Sequence, residues 1–289
     1  MTSRILVQTT IPRRQDDWHV GRFRFLVDHL GKLTDSGGRP RFDVLARDRE
    51  PSNGGDDPFL CGLTLADMDQ VWVLGVDAGD DSGLTPREVE SLSRFYQAGG
   101  ALMLTRDHQD MGCALSTVGD VGAAHCWHNV APEDDPERRT RDDDNPSIDW
   151  PNYHSGRNGA FQAIERVAVD HPLLEGVHHL PAHPHEGALR EPAEGGAGRA
   201  VARGTSRRSG RPFLLAVAFD HGGGEGQPAR RAVAQSTFHH FADYNLDLGA
   251  GAPSFVDDPE ALPEERGGVG VSETRRYWEN LATWLSGRS

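Results

Sequence analysis

The chain has 289 residues, with 44 acidic side chains against 30 basic ones and a formal charge of −14. That balance argues against a nucleic-acid-binding face, which needs clustered positive charge, and no run approaches the roughly eighteen apolar residues of a membrane span. Three cysteines, Cys61, Cys113 and Cys126, without CxxC spacing argue against a disulfide framework or a structural zinc site and lead us to expect a reducing cytoplasm.

The first apolar run, "RILVQTT", reads as a buried strand rather than the core of a signal peptide. Phe23, Leu26, Val27, Leu30 and Leu33 fall on one face of a helix over about 22–33. "FDVLA" and "DQVWVLG" are the next strands. In "LTPREVESLSRFYQAGG", Thr85 is an N-cap, Pro86 occupies the first helical position and Glu88 closes a capping box. Gly99 and Gly100 stop that helix, and "ALMLT" is a fourth strand. Strand and helix alternate throughout this half, which predicts an α/β fold with a mainly parallel sheet and helices on both faces.

The segment at about 119–160 is rich in Asp, Pro, Arg and Asn and reads as a long loop insertion, with 134–144 expected to be exposed and mobile. His125, Trp127 and His128 beside it are expected to lean over the strand ends as a lid. Beyond it, "FQAIERVAV", "RAVARGT", "PFLLAVAFD" and "RRAVAQSTF" read as strands of a mixed, more antiparallel half, and Glu273–Leu285 as a closing helix.

Ligands of open α/β sheets bind beyond the carboxyl ends of the strands, and polar clusters follow several of these runs. Asp16, Asp17, Trp18 and His19 follow the first strand; Arg106, Asp107, His108 and Asp110 follow the fourth. His125 and His128, then His183, His185 and Glu186, and finally His239, His240 and Asp243 come later. Histidine with carboxylate suits proton transfer near neutral pH or a metal, for which zinc, iron or manganese is the matching divalent ion. None of the spacings is a specific motif; each histidine taken alone reads as a surface or hydrogen-bonded structural residue, and only their convergence on one sheet edge suggests a site. Adjacent residues of a strand face opposite ways, so one of His239 and His240 would face the site while the other packs beneath it, unless a bulge turns both outward.

The order of parts resembles the class I glutamine amidotransferase-like superfamily, in particular its ThuA-like (trehalose-utilisation-like) branch. "DQVWVLG…LTPREVESLSRFYQAGGALMLT", "DHPLLEGV", "RRAVAQSTFHHF" and "YWENLATWLSG" carry the resemblance, which spans the chain in outline. It implies a single flavodoxin-like domain over 1–289. It also implies that His108 and one of His239 or His240 meet at the sheet edge, the position of the glutaminase nucleophile and its histidine. The turn "TRDHQ" lacks the glutaminase cysteine, and Cys113 reads as a small buried residue, so thiolate chemistry is not expected.

Two functional readings follow. In the first, a hydrolase-like enzyme acts on a small polar molecule, sugar-like or amide. Its catalytic residues would be Asp107, His108, His239, His240 and Asp243, and its metal ligands His108, His185, Glu186 and His240. Asp17, His19, Trp127 and His128 would contact the substrate, and the chain could form a homo-oligomer. In the second, a non-catalytic ligand-binding or interaction module has kept the fold without the nucleophile. Close convergence of the His/Asp cluster favours the first; scattering over separate faces favours the second.

Overall fold

Apolar runs that are buried on both sides build the centre of the molecule. The structure, a computed structural model, describes residues 2–53, 55–80, 82–133, 148, 152–224 and 226–287. The expectation for 134–144 lies outside the described residues. In chain order the strands are β1 (Ser3–Pro12), β2 (Phe42–Arg49), β3 (Gln70–Leu74), β4 (Ala101–Thr105), β5 (Asn152–Tyr153), β6 (Phe161–Ala163), β7 (Glu165–Arg166), β8 (His179–Pro181), β9 (Glu186–Gly187), β10 (Gly198–Thr205), β11 (Pro212–His221) and β12 (Arg230–Gln235). The helices are α1 (Arg24–Gly31), α2 (Pro58–Cys61), α3 (Pro86–Gln97), α4 (Gly119–Ala123), α5 (Asp243–Leu246) and α6 (Val269–Leu285).

Eight strands form one mixed sheet in the order β2-β1-β3-β4-β12-β11-β10-β7. β2, β1, β3, β4 and β12 run parallel, while β11, β10 and β7 are added antiparallel. This is the flavodoxin-like α/β arrangement expected from the alternating first half and the mixed second half. Strand alternation divides the core. Ile5, Val7, Trp72, Leu74 and Met103 pack with Leu26 and Leu30 of α1 and with Tyr277, Trp278 and Leu281 of α6. Leu6, Val71, Val73, Leu102 and Leu104 pack on the other face with Val89, Leu92 and Phe95 of α3. The α3 capping box forms as its sequence dictates, with Thr85 accepting from the Glu88 backbone N–H and the Glu88 carboxylate accepting from that of Thr85.

Two local readings need correction. "FQAIERVAV" is not one strand: it breaks into β6 and β7, which pair in different sheets. The strand over "RRAVAQSTF" ends at Gln235, and Phe238–His240 form a 3-10 turn. Thr237 causes that ending, because its hydroxyl accepts from the His239 N–H and caps the turn.

Candidate functional site

The turns after β4 and β12 are held side by side. Thr105 and Gln235 are paired in the sheet, and the Phe238 N–H donates to the Arg106 carbonyl at 3.1 Å. At the end of β3, a Cβ on Gly75 would meet the Thr105 carbonyl at 2.7 Å, so glycine lets the turn after β3 close against β4. A third segment comes from the other half of the chain. β9 joins the β12 turn through Gly187 N–H to the Ser236 carbonyl, and the His183 N–H donates to Ser155 Oγ.

These turns surround a cavity of about 560 Å³ at the carboxyl ends of β1, β3, β4 and β12, where open α/β sheets bind ligands. Asp107 lies at its base, 1 % exposed. Its Oδ1 accepts from Thr237 Oγ1 at 2.7 Å. Its Oδ2 faces three imidazoles: His108 Nδ1 at 3.0 Å, His183 Nε2 at 3.5 Å and His239 Nε2 at 3.8 Å. Asp107, His108 and His183 each offer a ligand atom, and these atoms lie within 4.8 Å of one another. The rings of His183 and His239 stack at 3.5 Å, and Trp18 stands edge-on to His239 at 5.0 Å.

Two asparagines fix the tautomers of the stacked pair. Asn245 Nδ2 faces the Ala182 carbonyl, which can only accept, so Asn245 Oδ1 must face His239 Nδ1 and take its proton, at 2.7 Å. The same amide donates to Asn158 Oδ1, which therefore also accepts from His183 Nδ1, at 2.9 Å. Both Nε2 atoms are left pointing at the Asp107 carboxylate, and His183 Nε2 has no hydrogen-bond partner.

Burial favours a neutral Asp107; positive charge on His183 and His239, with the His108 hydrogen bond, outweighs it and holds the carboxyl well below its ordinary range, so the low value goes with a positive charge among the imidazoles rather than with neutral rings. Burial, reinforced by the stacked His183, holds His239 well below the usual imidazole value. Burial likewise lowers His108, against the pull of Asp107. His185 completes the wall. Its Nε2 pairs with Asp258 Oδ1 at 2.8 Å, and its ring stands 5.4 Å from His108 and 5.2 Å from His183. Burial favours a neutral Asp258, and the bond to His185 overcomes it, lowering the carboxyl.

Of the residues singled out from sequence, Asp107, His108, His185, His239 and Asp17 line the cavity. Others do not. His240 turns beneath the site, with Nε2 3.4 Å from Glu186 Oε2 and Nδ1 3.5 Å from Gln235 Oε1. Glu186 is fully buried there and accepts from Ser155, Gln162 and Ser236. The metal set His108, His185, Glu186 and His240 is thus split between two compartments. Asp243 caps α1, accepting from the Arg24 and Phe25 N–H groups. His19 caps the turn Val20–Phe23 through the Gly21 N–H. Trp127 is buried under the Arg106 guanidinium and donates to the Met111 carbonyl. The His128 backbone binds Gln109, and buried His125 approaches the Gln235 carbonyl. These three do not form a lid over the cavity.

His183, Asn158, Asn245, Thr237, Asp77 and Asp258 were not among the chosen site residues. A signal for His183 was present. In "PAHPHEG" the prolines favour extended backbone, whose period of two puts His183 and His185 on one side and Glu186 on the other. The asparagines carry no such signal.

No family model matches the chain, and no curated protein matches it. Among solved structures it is similar to the mmIFT52 N-terminal domain, with a TM-score of 0.51 and 12 % identity over 98 % of this chain and 97 % of that one. That likeness shows a shared fold. The chain is also similar to the cytoplasmic protein STM1381 from Salmonella typhimurium LT2 (TM-score 0.48, 10 % identity, 98 % and 99 % covered). A further similarity is to the acivicin-bound glutaminase domain of Trypanosoma brucei CTPS (TM-score 0.42, 13 % identity, 100 % and 95 % covered). Among the described residues no helix is long and apolar enough to cross a membrane.

Proposed function

We propose that the cavity is the active site of a metal-assisted hydrolase acting on a small polar molecule. Asp107, His108 and His183 would hold a divalent ion, with His239 as a further imidazole beside them. The observation that carries this reading is the pair of Nε2 atoms aimed at Asp107 while both Nδ1 protons are committed to asparagines. Lone pairs facing a carboxylate repel unless a cation stands between them. An N–H held by a second polar group is the usual support of a ligating histidine. A tetrahedral site with arms of about 2.0–2.1 Å separates its ligand atoms by about 3.3 Å, and the 3.5 and 3.8 Å gaps lie just outside that figure.

Zinc, manganese or iron suits this donor set, and such an ion supplies Lewis acidity at the reacting bond. The chain's own residues do the rest. Burial keeps His239 in the neutral form a ligand needs. Trp18 and Phe238 restrict water on one side of the cavity. His185, oriented by Asp258, is placed to carry a proton to or from the substrate. The cavity volume suits a small molecule.

We infer further that the chain is a ThuA-like member of the glutamine amidotransferase-like superfamily without thiolate chemistry. In support, no cysteine occupies the turn after β4, and burial raises the half-buried Cys113 thiol to about 11. Elemental analysis tests the metal reading. Protein purified without chelators should carry about one zinc, manganese or iron per chain, and Asp107→Asn or His183→Ala should lose it. Wild-type protein that stays metal-free after incubation with each ion would leave the non-catalytic binding module as the better reading.

A further inference from the structure

The cavity wall is more acidic than the imidazole cluster requires. Asp17, Asp77, Asp80, Asp107, Asp257 and Asp258 all line it. Among the described lining residues Arg14 is the one arginine or lysine, and it lies 4.0 Å from Asp17. Asp107 is engaged by imidazoles and Asp258 by His185.

Asp77 stands apart. It is 2 % exposed and sits in the turn after β3, whose Val76 and Asp77 N–H groups donate to Thr10 Oγ1. Its Oδ1 accepts from the Gly79 N–H at 3.0 Å, while its Oδ2 has no hydrogen-bond partner. Gly83 walls one flank so closely that a Cβ there would meet the carboxyl at 2.8 Å. Leaving a buried carboxylate oxygen without a donor is costly, so the arrangement makes sense if a donor arrives with the ligand. Burial raises the Asp77 pKa, against the opposing pull of the Thr10 hydroxyl and the Gly79 and Gly112 N–H groups.

We infer that the cavity selects a substrate bearing a protonated amine, whose ammonium donates to Asp77 Oδ2 while the reacting bond faces Asp107 and the imidazoles. This rests on the cavity being the active site proposed above. An ammonium offers three donors and no acceptor, and it brings the positive charge that the wall lacks. A carboxylate or phosphate ligand would meet repulsion. A neutral hydroxyl could fill the hydrogen bond but would leave the surrounding aspartates uncompensated.

The test is an equal-length series, n-butylammonium, 1-butanol and butyrate, titrated by ligand-observed NMR against the full chain, with metal content measured in every sample. The expected result is that butylammonium binds at least about tenfold more tightly than butanol, and butyrate not detectably, as a charge-assisted hydrogen bond implies. Asp77→Asn should abolish that preference with metal content unchanged, while Asp257→Asn, at an exposed position, should change it by less than about threefold. Equal binding of butanol or butyrate would overturn the inference, as would no binding of butylammonium. So would a preference that survives Asp77→Asn, or loss of metal in that variant. If Asp77→Asn fails to fold, the wild-type series decides alone. A metal-free protein that keeps the ammonium preference would remove the metal reading and leave this one standing.

Discussion

His239 and His240 are neighbours in sequence and equally hidden, 3 % and 0 % exposed, yet they belong to different regions of the molecule. His239 shares the cavity with Asp107, His108 and His183, where nitrogen lone pairs point at a carboxylate and a buried nitrogen lacks a partner. His240 shares the compartment beneath with Glu186, which accepts from Ser155, Gln162 and Ser236. Each compartment leaves a buried imidazole nitrogen without a hydrogen-bond partner, His183 Nε2 above and His240 Nε2 below, so the difference lies in the carboxylates: the upper one faces the Nε2 atoms of two imidazoles whose other nitrogens are held by asparagines. The lower carboxylate is supplied with donors by the chain itself, the mark of architecture.

The largest effect that separates the two regions should come from below. Glu186→Ala strands three donors and His240 in the interior, so it should lower stability by about 3–5 kcal/mol, measured by denaturant melts. His239→Ala should cost clearly less stability and, on the proposed reading, weaken metal binding. Equal stability losses would break the distinction.

His171 extends the comparison to another histidine serving structure. Its Nδ1 accepts from the Leu173 N–H, its ring packs against Trp284, and burial lowers its pKa to about 4. The folded value lies below the unfolded one of about 6.5, so the unfolded state binds the proton more readily. His171 therefore contributes stability that is fully present above about pH 6.5 and is lost as pH falls toward 4, by up to about 3 kcal/mol. His171→Gln should flatten that limb of the stability profile. An unchanged slope would show that His171 does not cause it.

Asn245→Ala removes the acceptor that fixes the His239 tautomer, without removing a proposed ligand. Metal affinity should fall by about 10–100-fold, read by competition with a chromophoric chelator. No change would mean that the asparagine relay serves packing only. The smallest effect concerns the metal-free protein. Asp107→Asn places an amide where its N–H groups can face His183 and His239, so the metal-free variant should be as stable as metal-free wild type or about 1 kcal/mol more so. A marked loss of stability would move Asp107 into the structural class with Glu186.

Much of the fold was legible because its signals are local. Apolar runs gave β1, β3 and β4, and the Thr85–Glu88 capping box gave the start of α3. The site was legible in part, since histidines and aspartates at strand ends pointed to Asp107, His108 and His239. The errors share one cause. Glu186 was grouped with His185, and His240 with His239, because they are adjacent in sequence, whereas extended and tightly turned backbone sends adjacent side chains to different sides. Asp243 was read as catalytic from its neighbourhood, but its carboxylate is occupied by the amino end of α1, more than two hundred residues away in the chain.

By itself, then, the sequence determined the strands, the capped helix and the enrichment of imidazole and carboxylate at the sheet edge, because periodicity and capping are set by residues within one or two turns of each other. Only the tertiary structure decided that β4 and β12 are neighbours, that His183 arrives from a separate segment to stack on His239, and that Asn158 and Asn245 fix their tautomers. Apart from Asn245, six positions from His239, those outcomes depend on contacts between residues 25 to 130 positions apart, where no local pattern reaches and the closing of the whole sheet chooses which side chains meet.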